Sequence, residues 1–229
     1  MDYQACQLCI DHHMQYSSSA KIHIESKPDL EYNSIKWKPE IVKVLFIAEA
    51  PPYYPHETNK LKDSYFYNTL ELQKFLGAPA PLLGTLSWNL FYLLEINNTL
   101  DKKTKLELFK NRSCYYIETI KCRAERYDNK SILNDSVKNC LLYLEKEITD
   151  CNPKSIVIMG ERALYAIKQS HIFTESIKFN NLIDLLEETK DKPLIANGYN
   201  IFFIPLPIWR NRLYLPSILD IFRQIKKTI

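Results

Sequence analysis

The sequence predicts a three-layer α/β/α fold around a central four-stranded parallel sheet. Four short hydrophobic runs at 42–48, 114–120 (CYYIETI), 155–159 (SIVIM) and 200–206 (NIFFIPL) read as strands. The first of them, Val44 to Ile47, has no polar alternation, as expected of a strand covered on both faces. Segments with apolar residues three and four apart lie between the runs, and strand followed by helix in this order implies right-handed crossovers and a parallel-rich sheet.

In chain order, the run at 42–48 is followed by helical patterns at 67–76 and 86–96, then by the strand at 114–120. A helix is predicted over 132–148, where Leu133, Val137, Cys140, Leu141, Leu144 and Ile148 share one face. Gly160 closes the strand at 155–159, and residues 161–168 form the next helix. The strand at 200–206 leads to a last amphipathic helix at 215–225, with Lys226 and Lys227 at its carboxyl end, where the macrodipole favours cations. Residues 14–40 and 171–199 carry no clear period and read as peripheral loops and short helices.

With 229 residues, 46% hydrophobic and 25% charged, the chain is expected to form one domain, 1–229, with a sizeable core. Its apolar stretches are shorter than the ~20 residues that span a bilayer, and the start MDYQACQLC lacks the layout of a signal peptide. The expectation is a cytoplasmic protein with no membrane partner. A formal charge of +3 permits nucleic-acid binding through a local basic patch without requiring it.

The stretch KVLFIAEAPPYYP, 43–55, places Glu49 at the carboxyl end of the first strand. That edge of an open α/β sheet is where ligands bind, because the loops leaving it diverge around a crevice. Pro51 and Pro52 restrict the following backbone and stiffen it. Six cysteines in a chain read as intracellular point to metal ligands or core residues before disulfides. Cys6 and Cys9 form a C-x2-C pair, and Cys122 and Cys140 flank the polar stretch RAERYDNKSILNDSVKN. Four thiolates gathered this way hold either a 4Fe-4S cluster or tetrahedral zinc. The alternative leaves Cys122 and Cys140 as buried small side chains. Cys114, on a strand, and Cys151, at a helix end, read as core residues.

Taken in order, these residues resemble the uracil-DNA glycosylase superfamily, in particular its iron-sulfur branch, often called family four. The counterparts are Cys6 and Cys9, AEAPP at 48–52, IKCR at 120–123, Cys140, NPKSIVIMGERAL at 152–164 and FFIPLPIWRNR at 202–212. The resemblance is collinear over most of the chain. It implies a uracil-DNA glycosylase-like fold, DNA as partner, a monomer, and a 4Fe-4S cluster on Cys6, Cys9, Cys122 and Cys140 in preference to zinc. It also implies base-excision repair, in which the N-glycosidic bond of uracil or a related deaminated or damaged base is hydrolysed. The sequence departs from the family's pattern at Ala48 and Pro52, where glycines are usual, and at Leu206 and Ile208, where the second motif has histidine and serine.

Glycosylases extrude the target nucleotide, because its glycosidic bond is inaccessible within the duplex. Glu49 matches the family's carboxylate, and Glu118 stands where the family has a polar residue on the second strand. Two nearby carboxylates would raise one pKa by mutual repulsion and so suit proton transfer. The resemblance assigns Ala48, Pro51, Phe66, Asn68 and Leu206 to the base, with Phe66 as stacking platform. Trp209, Arg210, Arg212 and Leu213 are assigned to DNA, an apolar wedge flanked by cations that clasp phosphates. Leu206 cannot donate to an anionic base, so a non-catalytic DNA-binding relative remains an alternative. A zinc protein without a nucleic-acid role is another.

Overall fold

The structure is a computed structural model that describes residues 22–23, 36–49, 66–67, 82, 84–121, 123–124, 130–173, 177 and 181–229. Its strands are β1 (Ile22–His23), β2 (Val44–Ala48), β3 (Cys114–Glu118), β4 (Arg123–Ala124), β5 (Ser155–Met159), β6 (Leu194–Ala196) and β7 (Tyr199–Ile204). Its helices are α1 (Leu86–Leu93), α2 (Lys102–Asn111), α3 (Lys130–Cys151), α4 (Glu161–Gln169), α5 (Leu182–Thr189) and α6 (Leu215–Lys226). None of the described helices is long and apolar enough to cross a membrane.

The main sheet has the order β3-β2-β5-β7-β6. The first four strands are mutually parallel, as expected, and β2 is hydrogen-bonded to β3 on one side and β5 on the other. Every residue of β2, β3 and β5 is buried, which accounts for their uninterrupted apolar runs. From β2 the chain crosses one way to β3, then back the other way to β5. Right-handed crossovers therefore put α1 and α2 on one face and α3 on the other. Phe46 of β2 packs on Phe109 of α2 and Phe222 of α6, with ring centroids 5.7 and 6.0 Å away. Helix α4 packs on β2 and β5 and against α3, whose Val137, Leu144 and Ile148 join the core.

The structure differs from the predicted four-stranded sheet in its fifth strand. β6 pairs antiparallel with β7, Ala196 opposite Tyr199, and lies in a stretch that carries no apolar period. Asn197 and Gly198, with φ of 49° and 83°, make the connection. An Asn-Gly pair with both φ positive is the two-residue hairpin turn whose twist matches the strands, so the local signal for β6 is the turn. β1 and β4 form a separate two-stranded antiparallel ribbon.

Helix α2 also lies outside the predicted elements. Asp101 caps it by accepting from the Thr104 backbone N–H at 3.0 Å. Its buried face includes Lys102 and Lys105 together with Leu106 and Phe109, so the lysines disguise the apolar stripe. Lys105 is fully buried; its Nζ donates to the Asn98 carbonyl at 2.9 Å and lies 3.2 Å from the centroid of the Trp88 ring. Those contacts offset the cost of taking an ammonium out of water.

Cys114 and Cys151 lie in the core cluster, as the sequence predicts. Burial pushes the Cys114 thiol up to about 12 and the Cys151 thiol up to about 11. Only thiolates attack disulfide reagents, and at pH 8 a thiol with pKa near 12 is ionised in about one molecule in ten thousand. Ellman's reagent should therefore modify both residues at least about tenfold more slowly in native protein than in urea, with the sites read by peptide mapping.

Candidate active site

The carboxyl ends of β2, β5 and β7 lie side by side because the parallel register aligns Ile47 with Ile158 and Ile158 with Phe203. One or two residues beyond those ends stand Glu49, Gly160 and Leu206. Backbone pairing continues past β2: Thr119 N–H donates to the Ala48 carbonyl at 2.9 Å and Ile120 N–H to the Glu49 carbonyl at 3.0 Å. The main chain carrying Glu49 is thus tied to the strand beside it.

The Glu49 carboxylate reaches toward the start of α4. Its Oε2 accepts from Arg162 Nη1 at 3.0 Å, and its Oε1 lies 3.4 Å from the Arg162 backbone N–H that points at it. The first turn of a helix has N–H groups with no partner inside the helix, so an anion is favoured there. Gly160 makes this approach possible. Its φ is +93°, and a Cβ at that position would meet Glu49 Oε1 at 2.7 Å and Leu206 Cγ at 3.1 Å.

Leu206 follows β7 within the Pro205-Leu206-Pro207 stretch, which side chains from two directions hold in place. Asn89 of α1 donates to the Pro207 carbonyl at 2.6 Å, and Asn211 donates to the Leu206 carbonyl at 2.8 Å. Asn89 is itself held by the Gly84 backbone, donating to its carbonyl at 2.9 Å and accepting from its N–H at 3.1 Å. A 3-10 turn, Trp209–Tyr214, comes next. Arg212 is exposed there, as is Arg210, and Leu213 is 82% exposed, a large apolar side chain presented to solvent.

A cleft of about 760 Å³ opens over these residues, lined among others by Glu49, Arg162, Tyr165, Leu206, Arg210, Asn211 and Tyr214. It joins two carboxylates, Glu49 and Glu161, with two guanidiniums, an apolar floor and two phenols. The structure thus brings together Glu49, Leu206 and Arg210 from the residues chosen on sequence, with Trp209, Arg212 and Leu213 on the turn at the cleft's edge. Arg162, Asn89 and Asn211 belong to the same arrangement and carry no sequence signal of their own beyond Arg162's place in the first turn of a helix.

The remaining chosen residues fall elsewhere. Ala48, the last residue of β2, is buried beneath Glu49. Glu118 is buried at the end of β3, its Oε1 accepting from Tyr116 Oη at 3.1 Å, and it does not line the cleft. Phe66 is 2% exposed and stacks on Tyr116 with centroids 4.0 Å apart and planes 9° from parallel, so in this structure it packs as a core ring. Lys121, next to Cys122, is ion-paired with Glu147. Cys140 is buried on α3, and its Sγ accepts from the Lys121 backbone N–H at 3.5 Å. Pro51, Asn68, Cys6, Cys9 and Cys122 lie outside the described residues.

Gly160→Ala is expected to destabilise the fold by about 1–3 kcal/mol, since it combines left-handed strain with a collision against Glu49. Urea denaturation measures this, and a variant of unchanged midpoint would contradict the packing described.

The family model of the uracil DNA glycosylase superfamily matches residues 36–225. No curated protein matches the chain. The family match spans every strand of the main sheet and the whole cleft, and the chain belongs to the uracil DNA glycosylase superfamily.

Proposed function

We propose that the protein is a DNA glycosylase of base-excision repair, acting on intracellular DNA as a monomer and hydrolysing the N-glycosidic bond of uracil or a related deaminated or damaged base. The observation that carries this reading is Glu49 in a cleft bordered by a turn that presents Leu213 to solvent just after Arg210 and Arg212. Leu213 or Trp209 serves as wedge, while Arg210 and Arg212 bind phosphates and make affinity fall with salt.

With the nucleotide extruded into the cleft, the C1′–N bond breaks and its electron pair leaves with the base. Glu49 stabilises the cationic sugar and orients the water whose oxygen bonds to C1′. One proton of that water ends on the departing base through solvent. Glu118, packed with Tyr116 outside the cleft, is given no part in this step. Leu206 supplies no donor, and losing one preorganised donor of this kind typically costs about 100- to 1000-fold in rate. That cost falls least on a base whose departure is helped by protonation, and it is also what favours the second reading, a relative that binds DNA without cleaving it.

Cys6, Cys9, Cys122 and Cys140 are proposed to hold a 4Fe-4S cluster in preference to zinc. Supporting this, Cys140 Sγ sits against the backbone of Lys121, the residue before Cys122. Bound there, the cluster would tie the amino-terminal segment to the chain after β3. Its part is structural and no catalytic step runs through it. Protein purified without oxygen should be brown and contain about four irons per chain, and Cys140→Ala should lower that content. A colourless zinc protein would reject the assignment.

Base release decides the main reading. Oligonucleotides carrying uracil, hypoxanthine, xanthine or an alkylated base, single- and double-stranded, are incubated with the natural protein and Glu49→Ala. Release is expected from the natural protein alone, with DNA affinity of the variant within about threefold, because Glu49 acts on the reacting centre and not on the phosphates. DNA binding without release from any substrate would establish the second reading.

A further inference from the structure

We propose that Arg162 is a positioning residue for Glu49, holding the carboxylate at the cleft as a fixed anion that stabilises and orients and does not carry the proton. This rests on the glycosylase reading of the same cleft.

Arg162 contacts Glu49 twice from one position, through its guanidinium at 3.0 Å and its backbone N–H at 3.4 Å. One residue thereby addresses both carboxylate oxygens. Gly160 contributes space: the volume that a Cβ would fill is where Oε1 lies. The pair is neither deeply buried nor freely solvated, with side-chain exposures of 27% for Arg162 and 20% for Glu49. Both residues line the cleft, so the restraint operates where substrate would sit.

The division of labour follows from the neighbours. Leu206 shares the Gly160 floor with Glu49 and offers no hydrogen-bond donor, so the site relies on where its anion is held. An ion-paired carboxylate accepts hydrogen bonds and has no proton to give. A fixed anion suits a developing sugar cation, because preorganised charge needs no rearrangement as the bond breaks. Lysine would keep the charge but on a compact ammonium at the end of a flexible stem, in place of the guanidinium whose Nη1 meets Oε2.

The test uses full-length protein, the best substrate of the base-release panel, and the variants Arg162→Gln, Arg162→Lys, Glu49→Gln and the double variant Glu49→Gln/Arg162→Gln. Single-turnover rates at saturating protein and DNA dissociation constants are measured separately. Arg162→Gln should slow base release by about 100-fold, the scale of a small misplacement of a reacting group, while the dissociation constant stays within about threefold. Arg162→Lys should recover part of the rate, and the double variant should be no slower than Glu49→Gln alone, because the two residues act as one unit. Additive losses in the double variant, or weaker DNA binding with an unchanged rate, would overturn the role of Arg162 and leave the glycosylase reading standing. If Arg162→Gln does not fold, Arg162→Lys decides: a slower rate with unchanged DNA affinity would support positioning by the guanidinium, and a rate equal to that of the natural protein would overturn it. Natural protein inactive on every substrate would overturn both.

Discussion

Strand β2 is hydrogen-bonded along both edges and covered on both faces, and the functional edge of the molecule is laid out from it. Its pairing with β3 and β5 sets the register of the parallel strands, and β5 passes that register to β7. A parallel ladder ends all its strands on one side, so residues far apart in sequence leave the sheet as neighbours. Glu49, Gly160 and Leu206 come together for that reason. Full burial of the strands makes the register hard to slip, since a shift of one residue would turn every side chain to the opposite face.

Beyond the strand ends, polar clamps take over from the ladder. The Thr119 and Ile120 amides hold the backbone at Ala48 and Glu49, while Asn89 and Asn211 hold the carbonyls of Pro207 and Leu206. The Asn211 amide adds to the bond the Leu206 carbonyl already accepts from the Ile208 backbone N–H, and the Asn89 amide satisfies the buried Pro207 carbonyl. Gly160 differs in kind, because its function is to leave a space: its left-handed φ turns the chain sharply into α4 and its missing Cβ admits a carboxylate. The floor of the cleft is therefore charged on the Glu49 side and apolar on the Leu206 side. Arg162 balances the charge from the helix end.

Much of this scaffold is legible in sequence, and the exceptions have physical causes. The SIVIM strand stands out because complete burial leaves a continuous apolar run. Helix α2 does not, because Lys102 and Lys105 occupy its buried face and find oxygens and aromatic rings there. β6 has a three-residue strand with Ile195 exposed, too short for any period, yet its Asn197-Gly198 turn is a local signal. At the site, Glu49 is visible as a carboxylate after a buried strand. Arg162 is not, because its pairing with Glu49 joins positions that only the sheet brings together.

By itself, the sequence determined the four parallel strands and the helices α1, α3, α4 and α6, the carboxylate at the end of β2, the cationic and apolar turn after β7 and membership of the superfamily. These depend on local patterns of burial and on motifs contiguous in the chain. Tertiary structure alone decided that Glu49 leans on Arg162 over Gly160, that Leu206 shares its floor, and that Phe66 and Glu118 pack with Tyr116. Those relations are set by distances across a parallel sheet, where contact depends on register and crossover and not on separation along the chain.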